Sequence, residues 1–423
     1  MVLSQERKED TKMRKSKRKA LLGVLIIVVL VLCIGLFMKN KTNTLNSNSI
    51  KEGITKELDE NLIGAYIQNG EDYTPTSDIP TSGYEFNAEK SYCKIGDVVQ
   101  EDMTLSYDMD TQTLTVSPIA KEGTKCYLYF DEHKIPAGDT ILAASKPQGQ
   151  TTDWTSNGTG ITYYYEGDTN EVNNWVQFAG FWWRIIRING DGTIRMIYQG
   201  TSANTTGTGT QIGESFFNSS YNNNMYVGYM YTSGQRQGTG SSSAIKGVLD
   251  QWYSVTSGLT AYSDYIDGNA GFCGDRRVSS GNGIGTSVTN YQPYTRISNN
   301  SPSLSCEDAD IYTTTDSSTG NKSLTYPIGL ISADEAMFAG IPIWNNSSPS
   351  NYLCTEEYYW TMSPSFFDGI SAYVFNIDES GSLVDNYYVN RTHRVRPVIN
   401  LRADVSLTGS GTISDPFKVV GAS

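Results

Sequence analysis

The longest apolar run of the chain lies near its start, where residues 20–38 contain no charged side chain. A helix of this length is about 28 Å long, close to the thickness of a bilayer's hydrocarbon core. Eight Lys and Arg residues precede the run, whereas only Lys39 and Lys41 follow it closely, and this imbalance favours a cytoplasmic N-terminus. The pattern predicts a transmembrane signal anchor at 20–38 behind a cytoplasmic basic tail at 1–19. A cleaved signal peptide is the alternative, although its apolar region is usually only ~7–15 residues long.

The next segment, residues 39–80, is rich in Asn, Thr, Ser and Pro and predicts a stalk between membrane and ectodomain. Within it, residues 50–67 predict a short amphipathic helix. The apolar residues that recur there at helical spacing are Ile54, Leu58, Leu62 and Ile63.

Residues 81–133 alternate between apolar and polar side chains in four short runs separated by turn residues. This period of two predicts β-strands, and therefore a small β-sandwich-like module, either Ig-like or smaller. Cys93 lies in its first predicted strand and Cys126 in its last.

Residues 134–423 predict one large, loop-rich domain. Two hairpins stand out, at 182–198 and 372–389, because each has apolar strands on both sides of a Gly-containing turn. Two helices are predicted, at 242–254 and 332–340, and the second begins with the Ser332–Glu335 spacing of a capping box. The fold class is therefore mainly β, with few helices.

Charge and cysteine content narrow the function. Residues 42–423 carry 22 basic and 42 acidic side chains, and this acidity argues against nucleic-acid binding. Five cysteines follow the apolar run; Cys93 with Cys126 and Cys273 with Cys306 are the natural pairs by domain, which leaves Cys354 over. The sequence does not fix the connectivity, and buried thiols are the alternative. With two His and no CxxC pair, it indicates no metal site and no cofactor.

From about residue 139 onward the chain resembles a family of uncharacterised membrane-anchored surface proteins of Gram-positive gut bacteria. The resemblance rests on motifs that occur in order: FAGFWWRIIRINGDGTIRMIYQG (178–200), NMYVGYMY (224–231), FCGDRR (272–277), YPIGLISADEAMFAG (326–340), YYWTMSPSFF (358–367) and RVRPVINLRADVSLTGSGTISDPFKV (394–419). The C-terminal half is also similar to the C-type-lectin-like fold, which implies an antiparallel core with long loops. The resemblance implies a surface protein without implying an activity, since this fold supports many functions.

The sequence contains no clear catalytic constellation. GxSxG is absent, and His393 lies beside Arg391 and Arg394, whose charge favours a neutral imidazole. Asp334 and Glu335 are adjacent at a predicted helix start, where their negative charges interact favourably with the helix dipole. A glycan- or wall-acting hydrolase that uses carboxylates remains an alternative, as does a structural envelope protein. Calcium binding by the acidic loop 307–310 is also left open.

Tyrosines within Asn-, Ser- and Gly-rich stretches are typical of binding loops, because Tyr provides contact area at low entropic cost. They predict a surface that binds an extracellular glycan or protein. Trp344 is added because Trp344-Asn345-Asn346 is similar to a motif of C-type lectins. The candidate residues are Tyr226, Tyr229, Tyr231, Tyr291, Tyr294, Trp344, Tyr387 and Tyr388, with Tyr221 nearby.

Overall fold

The computed structural model describes residues 63–69, 72–80, 84–108, 113–118, 120–132, 136–156, 158–203, 205–317, 319–344 and 346–422. Residues 1–62, which include the predicted tail and anchor and most of the predicted amphipathic helix, lie outside this part. Within the described part, no helix is long and apolar enough to span a bilayer. The chain forms two compact units, Met1–His133 (the small unit) and Lys134–Ser423 (the large unit).

The described part of the small unit contains seven strands. They are β1 (Ile63–Asn69), β2 (Asp72–Thr76), β3 (Tyr84–Ile95), β4 (Val98–Val99), β5 (Thr104–Asp108), β6 (Thr113–Ser117) and β7 (Thr124–Glu132).

A mixed five-stranded sheet forms the main layer of the small unit, in the order β2-β1-β7-β3-β4, and β5 and β6 form a separate hairpin. Along β7 the side chains of Cys126, Leu128 and Phe130 are buried, whereas those of Tyr127 and Tyr129 are half-buried. This alternation directs one face of the sheet into a core that also contains apolar residues of the hairpin. The unit is therefore a sheet with one apolar face covered by a hairpin.

The structure corrects the predicted boundary between stalk and module. The helix predicted at 50–67 extended through Ile67, but Ile63–Asn69 is a strand that pairs in parallel with β7, and Asp72–Thr76 is its antiparallel neighbour. Ile63 and Ala65 are both buried in the core. Burial of every second residue is the pattern of a strand and not that of the predicted helix. The strands Ile63–Asn69 and Asp72–Thr76 thus belong to the small unit's sheet and not to a stalk.

The described part of the large unit has four α-helices and nineteen short strands. The helices are α1 (Ala137–Ala144), α2 (Ala244–Gln251), α3 (Gln292–Ser298) and α4 (Ala333–Phe338). The strands are β8 (Gly149–Thr151), β9 (Thr162–Tyr164), β10 (Trp175–Phe178), β11 (Phe181–Ile188), β12 (Ile194–Gly200), β13 (Glu214–Phe216), β14 (Met230–Tyr231), β15 (Ser241–Ser242), β16 (Phe272–Cys273), β17 (Val278–Ser280), β18 (Thr289–Tyr291), β19 (Ile311–Tyr312), β20 (Tyr359–Phe367), β21 (Ala372–Ile377), β22 (Leu383–Val384), β23 (Thr392–Arg394), β24 (Val398–Leu401), β25 (Leu407–Thr408) and β26 (Phe417–Val419).

Two larger sheets organise this unit. One follows the order β24-β12-β11-β10-β26-β25, with β9 and β8 added to β11. The other follows β13-β23-β20-β18-β17, and β21 and β22 extend it from β20. Apolar side chains from both sheets and from α2 and α4 form one core. Long loops connect these short strands. Because strands outnumber helices in its described part, the unit is mainly β, as the sequence predicts.

Both predicted hairpins are confirmed. β11 and β12 pair antiparallel across the turn that contains Gly192, whose φ of 86° suits a residue without a Cβ. β21 pairs with β22 at Asn376 and Ile377, and an isolated antiparallel bridge joins Tyr373 to Tyr388 further along the hairpin. Both predicted helices are also present, and Ser332 and Glu335 form the predicted capping box of α4.

Candidate functional site

The hairpin formed by β20 and β21 places aromatic side chains on the surface of the large unit. Phe366 is half-buried between the buried residues Ser365 and Phe367, and Tyr373 is half-buried between Ala372 and Val374. Because side chains alternate across a strand, these two rings share the face turned away from the core. They stack across the strands with centroids 4.2 Å apart.

Three further rings extend this pair into a continuous row. Tyr294 contacts Phe366 at 5.9 Å, Tyr388 contacts Tyr373 at 5.6 Å, and Tyr221 contacts Tyr388 at 5.9 Å. The backbone holds the loop residues in place: the Ala372 N–H donates to the Tyr221 carbonyl, and Tyr373 pairs with Tyr388 in an isolated bridge. We call Tyr294, Phe366, Tyr373, Tyr388 and Tyr221 the aromatic row.

Polar groups lie alongside the aromatic row. The Tyr373 hydroxyl donates to Asp368, whose other oxygen caps the β20–β21 turn. Burial, followed by the Asp368 carboxylate, raises the pKa of Tyr373 to about 12, so the phenol stays protonated at neutral pH. Arg391 lies over the Tyr388 ring at 4.9 Å. In the adjacent turn, Ile370 is 72% exposed. The row therefore offers apolar faces together with hydrogen-bonding groups.

A second aromatic cluster surrounds His393. Its ring contacts Trp360 at 4.6 Å, Tyr387 at 4.9 Å and Tyr358 at 5.3 Å. Among the residues that the structure describes, none forms a hydrogen bond with the buried Nε2 atom. Burial first, and the charge of Arg391 second, lower the pKa of His393 to about 4. The imidazole is thus neutral at pH 7, as the sequence predicts, although burial contributes more than the neighbouring cation.

His393 should make the large unit less stable as the pH falls. An unfolded His binds a proton near pH 6.5, whereas the native one resists protonation down to about pH 4. Between these values the unfolded state holds more protons, so the free energy of unfolding should fall by about 2 kcal/mol as the pH drops, with full stability above pH 6.5. Urea unfolding at pH 7 and pH 4.5, compared with His393→Gln, checks this; an equal pH dependence in the variant contradicts it.

The structure separates the predicted binding residues into several places. Tyr294 and Tyr388 belong to the aromatic row, as does neighbouring Tyr221, which is 38% exposed. Tyr387 points to the other side of the chain, into the His393 cluster. Tyr226 and Tyr231 form a separate edge-to-face pair at 5.4 Å.

Two predicted binding residues are wrong. Tyr229 and Tyr291 are each only 1% exposed and belong to the core. The Tyr229 ring packs on Tyr312, and the Tyr291 hydroxyl donates to the Asn224 side chain at 2.9 Å. Their hydroxyls have internal partners, which is how the chain accommodates a buried phenol.

Trp344 is exposed outside the aromatic row. It is 37% exposed and has a left-handed φ of 53°, and its Nε1 lies 3.4 Å from an Asp385 oxygen. An open groove of about 410 Å³ is lined by Ile343 and Asn346, which are close to Trp344 in sequence, and by residues at the end of α4. No titratable side chain is among the described lining residues, so the groove offers shape without acid–base chemistry.

The carboxylates considered for hydrolysis form internal ion pairs instead. Glu335 is buried against Arg187 and Arg195, and Asp334 accepts hydrogen bonds from Nε and Nη2 of Arg296 at 2.8 and 2.7 Å. Two carboxylates occupied by different buried cations are not free to act on a glycosidic bond together. Their role is to stabilise the fold.

The acidic loop at 307–310 is likewise engaged. The Asp310 carboxylate is buried and accepts from Arg276 Nε at 2.8 Å, and Gln237 bridges it to Glu307 at 2.8 Å. Among the described residues, no three His, Cys, Asp or Glu side chains are grouped to hold a metal ion. Calcium binding thus has no support from this loop.

Both predicted disulfides are confirmed. Cys93 is bonded to Cys126 and Cys273 to Cys306, and such bonds persist in oxidising, extracytoplasmic environments. Cys354 is a free thiol whose pKa is raised by burial. Its Sγ contacts the Glu379 carbonyl, so the structure provides no activated nucleophile at this position.

Sequence reasoning missed Phe366 and Tyr373, the centre of the aromatic row. Both lie in strands that read as buried, and only their cross-strand pairing brings them together at the surface. The predicted hairpin at 372–389 could have indicated Tyr373, because side-chain alternation places Tyr373 on the opposite face of the strand from Ala372 and Val374.

No family model, curated protein or solved structure matches this chain.

Proposed function

We propose that this protein is a membrane-anchored bacterial surface protein whose large unit binds an extracellular glycan along the aromatic row. The observation that carries the proposal is the row itself, in which five contacting rings are half-buried or exposed on one surface. An aromatic surface of this extent is typical of an interaction site.

A glycan matches the chemistry of this row better than a folded protein does. A sugar ring has a face of C–H groups, which an electron-rich aromatic face attracts, and a rim of hydroxyls, which need hydrogen-bond partners. Asp368 supplies an acceptor, and Arg391 and the Tyr phenols supply donors beside the rings. The row is an open surface, which accommodates several sugar units of a chain rather than one enclosed molecule.

The location follows from a separate set of observations. The disulfides support an extracytoplasmic environment, and the apolar run at 20–38 supports an anchor with the C-terminal units outside the cell. The capping box of α4, the hairpin of β20 and β21, and the Arg396-Pro397 step before β24 support a C-type-lectin-like fold for the large unit. Binding is favoured over hydrolysis because the candidate carboxylates are buried in ion pairs.

Replacing Tyr373 with Ala should weaken glycan binding by about tenfold to a hundredfold, because it removes the ring that stacks on Phe366 and contacts Tyr388. The full-length chain, labelled and applied to an array of bacterial and host glycans, identifies a ligand, and titration of that ligand gives the affinities. Trp344→Ala is the matched control, since it removes an exposed aromatic ring outside the row.

Three results would contradict the proposal. They are binding to protein arrays but to no glycan, an affinity that depends on Trp344 and not on Tyr373, and release of sugar fragments by the wild-type chain. Unchanged Trp fluorescence and thermal unfolding in Tyr373→Ala would show that a loss of binding comes from the surface itself.

A further inference from the structure

The small unit has an aromatic surface of its own, on the side of its five-stranded sheet that points away from the core. In the ladder of β3 and β7, the pairs Phe86–Phe130 and Cys93–Cys126 point to the core. Because side chains alternate along a strand, the pairs beside them point outward. These outward pairs are, in order along the ladder, Glu85–Asp131, Asn87–Tyr129, Tyr92–Tyr127 and Lys94–Lys125. The ladder thus shows one acidic, two largely aromatic and one basic pair to the outside.

Tyrosine rings cover the middle of this surface. Tyr66 of β1 stacks on Tyr129 at 4.9 Å, and Tyr73 of β2 meets the edge of the same ring at 5.1 Å. Tyr92 stacks on Tyr127 at 5.1 Å. All five side chains are half-buried, and their mutual contacts order the rings before a partner binds. We call these five tyrosines and the four outward pairs the tyrosine face.

The two ends of the tyrosine face carry opposite charge. One end is the acidic pair Glu85–Asp131, and the other is the basic pair Lys94–Lys125. A partner of uniform charge would meet like charge at one of these ends. The face therefore matches a partner whose charge also changes sign along its length.

Contacts within the unit hold two of these charges in place. Asp131 accepts hydrogen bonds from the Tyr73 hydroxyl and from the Asn87 amide, the latter at 2.8 Å. The Lys94 ammonium lies 5.4 Å from the ring centroid of Tyr92, where cation–π attraction favours it. An anion and a cation are thus presented at defined positions on either side of the rings.

The irregular segments that flank the ladder leave this polarity in place. The interruption within β3 adds exposed Glu89 and Lys90 near the acidic pair. Exposed Asp97, Lys121 and Glu122 lie in the turns beside the basic pair. With these residues included, three acidic side chains and one Lys leave the acidic end a net charge of −2, whereas three Lys and two acidic side chains leave the basic end a net charge of +1.

Two copies of the tyrosine face complement each other in one of the two arrangements that align their strands. A two-fold axis parallel to the strands places each end over its own copy, so that Lys94 meets Lys94. A two-fold axis perpendicular to the strands makes them antiparallel and places the basic end of each copy over the acidic end of the other. The aromatic pairs then meet near the axis, with the ion pairs on both sides of them.

We propose that the tyrosine face joins two copies of this chain, packed face to face with antiparallel strands, so that Lys94 of each copy pairs with Asp131 of the other. At ~3.4 Å per residue and ~4.8 Å between strands, the face measures roughly 25 Å by 20 Å, or about 500 Å² per copy. The dimer therefore buries about 1,000 Å² in total, the lower limit for a specific interface, so the association is reversible. This contact lies in the small unit and is separate from the glycan binding proposed for the large unit.

Cross-linking of the full-length chain in lipid vesicles tests the arrangement, in a Cys33→Ser, Cys354→Ser background that leaves only the disulfide-bonded cysteines. Chains with Lys94→Cys are mixed with differently tagged chains with Asp131→Cys and treated with a short bis-maleimide, whose span covers the ~10 Å between packed sheets. The mixed dimer should form, whereas neither variant should cross-link with itself, because identical ends lie ~20 Å apart. Ser106→Cys is the matched control, since Ser106 is exposed on the hairpin that covers the opposite side of the sheet.

Charge reversal tests the pairing of Lys94 with Asp131. Lys94→Glu and Asp131→Lys should each weaken association about tenfold, because the two-fold symmetry brings like charges together at both ends. Both substitutions in one chain should restore association, since the exchanged charges again meet opposite partners. Energy transfer between labelled full-length chains in vesicles measures the association, and an intact Cys93–Cys126 bond in each variant confirms that the small unit is folded.

Several results would overturn the proposal. They are an absence of association between wild-type chains, single reversals that associate like wild type, and a double variant that associates no better than the single ones. Self-cross-linking of Lys94→Cys that is as efficient as its reaction with Asp131→Cys would also overturn it. So would an equal yield from Ser106→Cys, because cross-linking would then reflect random collision.

Discussion

Replacing Glu335 with Gln should destabilise the large unit by about 3–5 kcal/mol, because the substitution leaves buried arginines without a balancing charge. Glu335 is 1% exposed and pairs with Arg187 at 2.9 Å and with Arg195. Arg187 also pairs with Asp153. Two buried cations and two buried anions thus balance, and the Gln variant would carry one excess positive charge in the core.

Aromatic rings lie beside the two arginines of this network, and these rings carry no net charge that could replace the lost carboxylate. The Arg187 guanidinium lies 4.4 Å from the ring centroid of Trp154, and that of Arg195 lies 4.9 Å from the ring of Phe272. Burial alone would raise the pKa of Glu335, but Arg195 and Arg187 hold it below its usual range. The carboxylate therefore stays charged well below neutral pH, and its contribution to stability is lost only in acid.

Trp fluorescence during urea unfolding measures this effect selectively, since all seven Trp lie in the large unit. Asp404→Asn is the matched control: it also changes a carboxylate to an amide, but in an exposed pair with Arg402, so its effect should stay below about 1 kcal/mol. Equal destabilisation by the two variants would show that the buried network does not contribute as argued.

Local patterns in the sequence were sufficient for the elements that depend on neighbouring residues. The hairpin around Gly192 requires a turn residue between two apolar runs, and the capping box of α4 requires Ser332 and Glu335 at the right spacing. The cysteine pairs were favoured because each lies within one unit, although the sequence left their connectivity open. In all these cases the interacting residues are close in sequence or share a domain.

The remaining features depend on contacts between distant segments. From the sequence alone, β1 resembles the end of a helix. Ile63 and Ala65 lie in a strand because they pair with β7, which follows some sixty residues later in the chain. Tyr229 and Tyr388 occupy similar stretches of sequence, but only packing determines that the first is buried and the second belongs to the aromatic row. Phe366 and Tyr373 meet because β20 contains irregularities that shift its register against β21. A single sequence gives no signal for such shifts.

Removing the Cys93–Cys126 disulfide should cost the small unit about 4 kcal/mol and leave it largely unfolded. The bond closes a loop with a sequence separation of 33, and constraining a loop of this size in the unfolded chain gives about that stabilisation. The two cysteines also belong to the nine buried core residues in the described part of the unit. A unit with so small a core has little stability in reserve.

The Cys273–Cys306 disulfide provides an unusually close control, because its sequence separation is also 33. The entropic contribution of the two bonds is therefore the same, while the large unit has a far more extensive core. Hydrogen exchange read by mass spectrometry should show loss of protection across residues 63–132 in the Cys93→Ser, Cys126→Ser variant. The Cys273→Ser, Cys306→Ser variant should keep its core strands protected and unfold at lower urea concentration. If both units remain protected, or if both lose protection, core size does not decide which unit depends on its disulfide.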